Sequence, residues 1–163
     1  MAGIPIYRTA IRPEWIDYNG HLRDAYYAVI ISEAIDALMD RVGLDEAYRT
    51  RSGCTLYTVE MHFHYLQEVK QSDTAEVRTR LLGSDRKRIH AAFELLRAGH
   101  SGVAATAEAM LLHVRQHEGT VSVAPFPEPV SAALAQLEQS SATLQAEGPL
   151  SRRMELRPSS RAS

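Results

Sequence analysis

Residues 14–21 read EWIDYNGH and gather an acid, an amide, a glycine and an imidazole in one short stretch, namely Asp17, Asn19, Gly20 and His21. A carboxylate beside a carbonyl group either attacks the carbonyl carbon or takes a proton from a water molecule that does. Asp17 is the candidate for that role. His21 either polarises the carbonyl, orients Asp17 or only occupies the first turn of a helix. Asn19 either forms the turn or positions a water molecule.

The segment after the motif is predicted to be a helix, and its start offers further chemistry. The first N–H groups of a helix have no partner within it, and here they run from about Gly20 to Arg23. Because glycine has no side chain, a carbonyl oxygen can approach these donors closely. The same residues also fit a plain helix cap, with Asp17 or Asn19 as the capping side chain and Asp24 in the first turn. From the residues alone, both interpretations stay open.

Aromatic side chains surround the motif on both sides. They are Trp15, Tyr18, Tyr26, Tyr27 and Tyr57, with Tyr65 further along the chain. Rings that converge hold a cation through cation–π attraction, at about 0.5–2 kcal/mol for each good contact. Aromatic residues on a helix and a strand also commonly form core, so the pattern fits either a binding pocket or packing.

The stretch EMHFH places Glu60, His62 and His64 on one face of a predicted strand, because side chains alternate along a strand. We interpret Glu60 and His62 as candidates to line the pocket, and a polar outer face explains the pattern equally well. The H-x-H spacing fixes no third or fourth ligand, so no metal site is predicted.

Composition narrows the classes of molecule that this chain is expected to bind. The chain has 18 Lys plus Arg against 20 Asp plus Glu, a net charge of −2, which points to neither nucleic acid nor a membrane surface and favours a small-molecule substrate. Cys54 is the single cysteine, which excludes an internal disulfide and fits a reducing compartment. We find neither a secretory signal nor an apolar run of about 18 residues, so we expect a cytoplasmic protein.

The apolar patterning predicts one α+β domain at 1–147 and a disordered tail at 148–163. The predicted elements are a strand at 4–12, helices at about 22–42, 45–51 and 130–144, a loop at 119–129, and four long strands in succession after Gly53, which indicate an antiparallel meander. A long antiparallel sheet that wraps one central helix leaves sheet surface uncovered. We therefore expect a homodimer or a tetramer built from two such dimers.

The order of a strand, WIDYNGH, a long helix and YTVEMHFHYLQEVKQSDTAEV resembles the hotdog-fold acyl-CoA thioesterases of the 4-hydroxybenzoyl-CoA thioesterase type. The resemblance covers roughly residues 4–118. It implies the hotdog fold, a role for Asp17 as nucleophile or general base, and the backbone N–H groups of Gly20 and His21 as donors to the thioester oxygen. No separate cofactor is implied, because coenzyme A is part of the substrate.

More narrowly, PEWIDYNGHLRDAYY with YTVE downstream is similar to the betainyl-CoA thioesterases of bacterial carnitine breakdown. The substrate of those enzymes carries a quaternary ammonium group, which would suit an aromatic pocket. Many relatives read V-N-N after the histidine, where this chain has Leu22, Arg23 and Asp24. A family of this kind also needs an anion site.

A cationic turn provides the candidate for that anion site. Arg86, Lys87 and Arg88 occupy the turn SDRKRIH, where they either contact the phosphates of coenzyme A or are simply solvated.

Two alternatives to a thioesterase remain at this stage. A hotdog hydratase uses the motif D-x-N-P-x-H, in which the acid and the histidine are five residues apart, whereas Asp17 and His21 are four apart and Gly20 replaces the proline. A non-catalytic acyl-CoA binding protein would keep the fold without needing Asp17. The sequence favours hydrolysis of a small acyl-CoA thioester, with betainyl-CoA as the leading substrate.

Overall fold

The computed structural model describes residues 3–150 of the chain. The elements are β1 (Ile4–Ala10), α1 (Asp24–Arg41), α2 (Glu46–Ser52), β2 (Cys54–Tyr65), β3 (Thr74–Ser84), β4 (Arg88–Arg97), β5 (Val103–His117), β6 (Thr120–Val123) and α3 (Glu128–Ser141). The three predicted helices and the five predicted strands are all present. Most of the predicted tail, residues 151–163, lies outside the described residues.

The strands form one antiparallel sheet in the order β1-β3-β4-β5-β2, with β6 paired to β5. The prediction of a meander of four successive strands is therefore wrong for β2, which pairs with β5 instead of β3. Residues 66–73 carry the chain from β2, at one edge of the sheet, to β3, which lies next to the other edge strand, β1. Period-two patterning identifies strands, but it does not say which neighbour each one chooses.

The predicted loop at 119–129 also needs correction, because it contains β6. This strand has only four residues, all exposed, and it forms a hairpin with the end of β5. A short exposed strand followed by prolines buries no apolar side chain, so it leaves no hydrophobic period in the sequence to detect.

Helix α1 lies against one face of the sheet, which we call the inner face. Ile30, Ala34 and Leu38 of α1 are fully buried, and they belong to one core cluster with Phe93 and Leu95 of β4. The opposite face of the sheet, the outer face, carries the alternate residues of the same strands. The fold prediction of a long antiparallel sheet wrapped around one central helix is confirmed.

Strand β2 changes its facing pattern at a β-bulge. Thr58 pairs with Leu111 and Glu60 pairs with Met110, so Val59 is an extra residue in the ladder. Because of this residue, even-numbered positions face inward before the bulge and outward after it. Leu56, Met61 and Phe63 accordingly pack on the core.

The chain after α3 passes from the edge of the sheet onto the outer face. The Leu81 N–H, beyond the end of the β1 ladder, donates to Ser141 Oγ at 3.1 Å. Further on, Glu94 Oε1 accepts the N–H of Glu147 at 2.7 Å, and Thr106 Oγ1 donates to the Pro149 carbonyl at 2.7 Å. The start of the predicted tail thus contacts β4 and β5 in the described part.

Candidate active site

The motif forms a tight loop, and hydrogen bonds of Asp17 close it. Asp17 Oδ1 accepts the N–H of Asn19 at 2.8 Å and of His21 at 3.2 Å. The Asp17 N–H donates to the His21 carbonyl at 2.9 Å. Hydrogen bonds from the His21 and Asn19 backbone hold the pKa of the Asp17 carboxyl below its usual range, so this carboxylate is ionised at neutral pH.

Gly20 allows this turn to form. Its φ is +82°, in the left-handed region that favours glycine, and its N–H donates to the Asp17 carbonyl at 3.1 Å. The N–H groups of Gly20 and His21, which the resemblance implied as donors to the thioester oxygen, therefore both donate to Asp17 in this structure. These hydrogen bonds therefore lie within the loop, and the loop does not form the first turn of the helix.

Helix α1 begins at Asp24, later than the predicted start near Leu22. The cause is that the preceding N–H groups have other partners: Leu22 donates to the Val69 carbonyl at 2.7 Å, and Arg23 donates to the Trp15 carbonyl at 3.0 Å. In α1, the N–H of Asp24 is the first that has no acceptor among residues 3–150. This donor stands at the positive end of the α1 dipole.

The loop pairs with the segment that follows β2, and this brings a second acid to the motif. His21 forms a bridge with Lys70, next to the Leu22–Val69 hydrogen bond. His21 Nε2 lies 3.0 Å from Glu68 Oε2, with the imidazole 30% exposed. Glu68 was not predicted as a site residue, because its partner lies far away in the sequence.

A cleft of about 320 Å³ opens beside this pair. It is lined by His21, Leu22, Asp24, Tyr27, Tyr65, Leu66, Gln67 and Glu68. Asp17 is not part of the lining, and it reaches the cleft through His21, whose N–H it accepts. The cleft therefore combines a polar rim, the start of α1 and two tyrosine rings.

The predicted aromatic pocket divides into separate groups. Trp15 is buried and stacks on Tyr26 at 5.6 Å between centroids, and the Arg12 guanidinium carbon lies 4.8 Å from the Trp15 ring centroid. That pair already has a cation from its own chain. Tyr18 is 96% exposed. Of the six aromatic residues around the motif, Tyr27 and Tyr65 line the cleft.

Tyr65 completes the aromatic lining at the cleft. Its ring meets Tyr27 edge-on at 5.2 Å between centroids, and its hydroxyl lies 3.5 Å from the Asp24 carbonyl. Burial raises the pKa of both tyrosines, so both are neutral phenols at physiological pH.

Glu60 and His62 do not line this cleft, so the prediction that they do is wrong. The bulge at Val59 turns both side chains to the outer face, together with Tyr57. There His62 Nε2 and Glu60 Oε1 form their own pair at 2.8 Å. The expected grouping of Glu60, His62 and His64 on one face is confirmed.

The predicted phosphate-binding turn lies at the far end of the sheet from the cleft. Arg88 begins β4, whereas Arg97, at the other end of β4, donates to Gln67 of the cleft at 2.9 Å. Ten residues of strand span about 30 Å. Arg88 is also paired with Asp85 at 2.7 Å. Within one chain, Arg86, Lys87 and Arg88 are therefore not brought to the motif.

Nowhere in residues 3–150 do three His, Cys, Asp or Glu side chains gather as a metal site would require. No helix in the same range is both long and apolar enough to cross a bilayer.

Comparison with known proteins identifies the family. Residues 11–134 match the thioesterase-like superfamily, and the chain belongs to it. The chain is 52% identical over 108 residues to a betainyl-CoA thioesterase of Pseudomonas aeruginosa, which covers 66% of this chain and 68% of that protein. It is also 37% identical to an L-carnitine dehydrogenase/betainyl-CoA thioesterase of Rhizobium meliloti, over 85% of this chain and 27% of that longer protein.

Solved structures agree with this family. A protein of Pseudomonas putida KT2440 described as a candidate thioesterase superposes with a TM-score of 0.83 at 41% identity, over 97% of this chain and 99% of its own. A Staphylococcus aureus protein solved in complex with CoA gives 0.84 at 26% identity, over 96% and 98%. The hotdog fold and the predicted enzyme class, a thioesterase, are confirmed. These relatives favour thioester hydrolysis over the hydratase and the non-catalytic binding protein.

Proposed function

We propose that the chain hydrolyses a small acyl-CoA thioester, betainyl-CoA, to glycine betaine and free coenzyme A. The observation that carries this proposal is the arrangement of Asp17, an ionised carboxylate held by main-chain donors, beside a cleft that includes the open start of α1. Coenzyme A enters as part of the substrate, and the reaction uses no further cofactor. The single cysteine, Cys54, is free and buried, which fits a cytoplasmic setting.

The backbone supports a revised division of roles. Because the N–H groups of Gly20 and His21 are engaged by Asp17, we assign the thioester oxygen to the N–H of Asp24. A helix N-terminal donor fixed in advance stabilises the negative charge that develops on that oxygen. Asp17 supplies the carboxylate, and His21, in contact with Glu68, connects it to the cleft.

Two routes from Asp17 give the same products. In the nucleophilic route, the carboxylate bonds to the carbonyl carbon, the C–S bond breaks, the thiolate leaves, and water then hydrolyses the mixed anhydride. In the general-base route, Asp17 takes a proton from a water molecule whose oxygen bonds to the carbon. A single turnover in ¹⁸O-water separates them, since only the nucleophilic route can label the Asp17 carboxylate.

The choice of acyl group rests on the relatives and on the cleft. Both relatives reported above carry betainyl-CoA thioesterase in their names. The match to the Pseudomonas aeruginosa protein spans about two thirds of each chain. The cleft lining, which includes two tyrosines and two carboxylates, suits a compact cationic head group.

A second copy of the chain would explain the free edge of the sheet. Strand β2 is an edge of twelve residues and exposes apolar side chains, with Val59 54% exposed. An unpaired edge of this kind favours pairing with another chain. We propose a two-fold dimer formed by antiparallel pairing of two β2 strands, with a tetramer formed by association of two such dimers.

This dimer would also bring the cationic turn to the cleft. Arg88 pairs with Leu112, and Leu112 pairs with Tyr57, so the turn lies at the start of β2, whereas the cleft lies at its end. Antiparallel pairing sets the start of one β2 against the end of the other. We therefore assign coenzyme A phosphates in each cleft to Arg86 and Lys87 of the second copy.

Oligomer mass tests the dimer directly. Light scattering should give twice the mass of one chain, or four times for the tetramer. Val59→Lys, which places a charge on the β2 edge, should shift the mass toward a single chain and raise KM. A native protein that is monomeric at assay concentration would exclude this dimer and, with it, the phosphate assignment.

The reaction is tested by release of free thiol from betainyl-CoA, acetyl-CoA and an aromatic acyl-CoA. We expect the highest kcat/KM on betainyl-CoA. Asp17→Asn keeps an oxygen acceptor for the loop but removes the charge, so kcat should fall by about 10²–10⁴. The matched control is Asp45→Asn, whose side chain caps α2 by accepting the Tyr48 N–H at 2.7 Å.

Folding of both variants is checked by thermal melting before the rates are compared. Asp45→Asn should retain activity within about twofold, because asparagine also caps helices. Thiol release that persists in Asp17→Asn would remove Asp17 from the reaction. No release from any of the three thioesters by the native protein would overturn the proposed function.

A further inference from the structure

The lining of the cleft carries more negative than positive charge. Asp24 and Glu68 contribute carboxylates, while the nearest basic side chain in the lining is the imidazole of His21. Resting on the proposed function, we propose that Asp24, Tyr27, Tyr65 and Glu68 form a cation subsite that recognises the trimethylammonium head of the acyl group and sets the specificity of the enzyme.

The two rings supply a neutral, polarisable wall for this cation. Tyr27 is almost completely buried, and its hydroxyl is directed to the Gln67 carbonyl at 3.4 Å. Tyr65 meets it edge-on and stays half-exposed at the opening of the cleft. A quaternary ammonium cannot donate hydrogen bonds, so ring faces and carboxylates are the groups that attract it.

The position of Asp24 fits the structure of the acyl group. One methylene separates the ammonium from the thioester carbonyl in a betainyl group, so the cation subsite must adjoin the donor that binds the carbonyl oxygen. Asp24 provides both, because its N–H opens α1 and its carboxylate lies in the same cleft.

Glu68 is held at the other side of the cleft by its contact with His21 at 3.0 Å. The Glu68 side chain is 67% exposed, and this contact orients its carboxylate toward the motif. A carboxylate oriented before binding attracts a cation at a lower entropy cost than a free side chain would.

The other aromatic pair in the motif does not compete for this role. Trp15 is only 4% exposed, and its ring already faces the Arg12 guanidinium at 4.8 Å. A second cation there would meet the charge of Arg12 directly. The subsite therefore lies with Tyr27 and Tyr65, and the enzyme should prefer cationic acyl groups over neutral ones and over acyl groups that end in a carboxylate.

The test compares betainyl-CoA with 3,3-dimethylbutanoyl-CoA, in which a carbon atom replaces the nitrogen and the shape is the same without the charge. The measured quantity is the ratio of kcat/KM for the charged substrate to that for the neutral one. This ratio cancels losses that affect both substrates equally, such as a displaced His21. We expect the native ratio to be at least tenfold in favour of betainyl-CoA.

Three variants remove parts of the subsite: Glu68→Gln, Asp24→Asn and Tyr65→Leu. Each should lower the charged-to-neutral ratio by about three- to tenfold, mainly through KM for betainyl-CoA. The matched control is Glu60→Gln, which removes an exposed carboxylate that pairs with a histidine on the outer face. The control should leave the ratio unchanged, because Glu60 lies on the opposite face of the sheet.

A binding experiment separates this inference from the proposed function. Ketone analogues, with a methylene between the carbonyl carbon and sulfur, carry the same two head groups and cannot be hydrolysed, so calorimetry gives their affinities without turnover. Absence of betainyl-CoA hydrolysis overturns the proposed function alone. A charged-to-neutral affinity ratio that is the same in the native protein, Glu68→Gln, Asp24→Asn and Tyr65→Leu overturns the cation subsite.

Discussion

Two of the histidine–glutamate pairs within residues 3–150 lie in contrasting places, one beside the cleft and one on the outer face of the sheet. His21 and Glu68 approach to 3.0 Å at the cleft, and His62 and Glu60 approach to 2.8 Å on the outer face. The second pair joins residues two positions apart on one strand. The first joins a loop before α1 to the segment after β2. The two pairs therefore have similar chemistry and similar distances. The outer pair is a local surface contact, whereas the cleft pair is a tertiary contact beside a candidate active site.

The surroundings of the two pairs differ more than their distances do. In the cleft pair, hydrogen bonds fix the backbone at His21. The His21 N–H donates to Asp17 Oδ1, and the N–H of the neighbouring Leu22 donates to the Val69 carbonyl. In the outer pair the imidazole is more exposed, at 46% against 30% for His21, whereas the two glutamates are equally exposed. A fixed backbone, rather than the ion pair itself, is what makes the first pair suitable for a role in catalysis.

The largest expected contrast is in activity. His21→Gln should lower kcat/KM for the preferred thioester by about tenfold or more, because the imidazole that joins the motif loop to Glu68 is replaced and this contact is lost. His62→Gln should change it by less than about twofold. Steady-state kinetics on both variants measures the contrast, and equal losses would abolish the distinction between the two pairs.

A second contrast concerns the turn that holds His21. Gly20→Ala introduces a side chain at a φ of +82°, which should lower the free energy of unfolding by about 1–2 kcal/mol. Gly43→Ala, at +83° beyond the other end of α1, should cost a similar amount. Denaturant titration measures both losses. Only Gly20→Ala should also lower kcat, so equal activity in the two variants would exclude a catalytic role for the turn.

The smallest expected effect concerns a third histidine, which has no carboxylate partner. His113 is completely buried between the Tyr48 hydroxyl at 3.0 Å and the Ala124 carbonyl at 2.9 Å. Burial lowers its pKa below the ordinary value of 6.5. As pH falls through 6.5, this histidine therefore takes up a proton in the unfolded chain before it does so in the folded one. The free energy of unfolding decreases as the pH approaches the lowered pKa.

Urea titrations at several values between pH 7.5 and pH 5 test this dependence. His113→Gln should flatten the acid-side decrease. The exposed His117, on the same strand, serves as the control, and His117→Gln should leave the decrease as it is in the native protein. A native protein whose stability rises as pH falls below 6.5 would contradict the assignment.

Much of the fold could be predicted because it depends on local periodicity. The alternation in β3 and the three- and four-residue spacing in α1 follow directly from which side chains are buried. The position of β2 at the far edge could not be predicted, because pairing with β5 depends on contacts across the whole sheet. β6 buries nothing, so it left no pattern.

The candidate site was predictable in part for the same reason. Asp17, Gly20 and His21 are close in sequence, and their turn is local. Glu68 and Tyr65 reach the cleft only when the segment after β2 pairs with the motif loop, which no spacing in the sequence records. The assignment of donors to Gly20 and His21 failed because Asp17 uses their N–H groups itself.

The extra residue at Val59 has a consequence for how this chain is aligned with relatives. A relative that lacks the bulge needs a one-residue gap at this position. Without the gap, each residue from 60 to 65 is matched to a neighbour on the opposite face, and Phe63 and Tyr65 exchange places with His62 and His64. Residue identities transferred from an ungapped alignment would then move the cleft-lining position of β2, Tyr65, to the wrong side of the sheet.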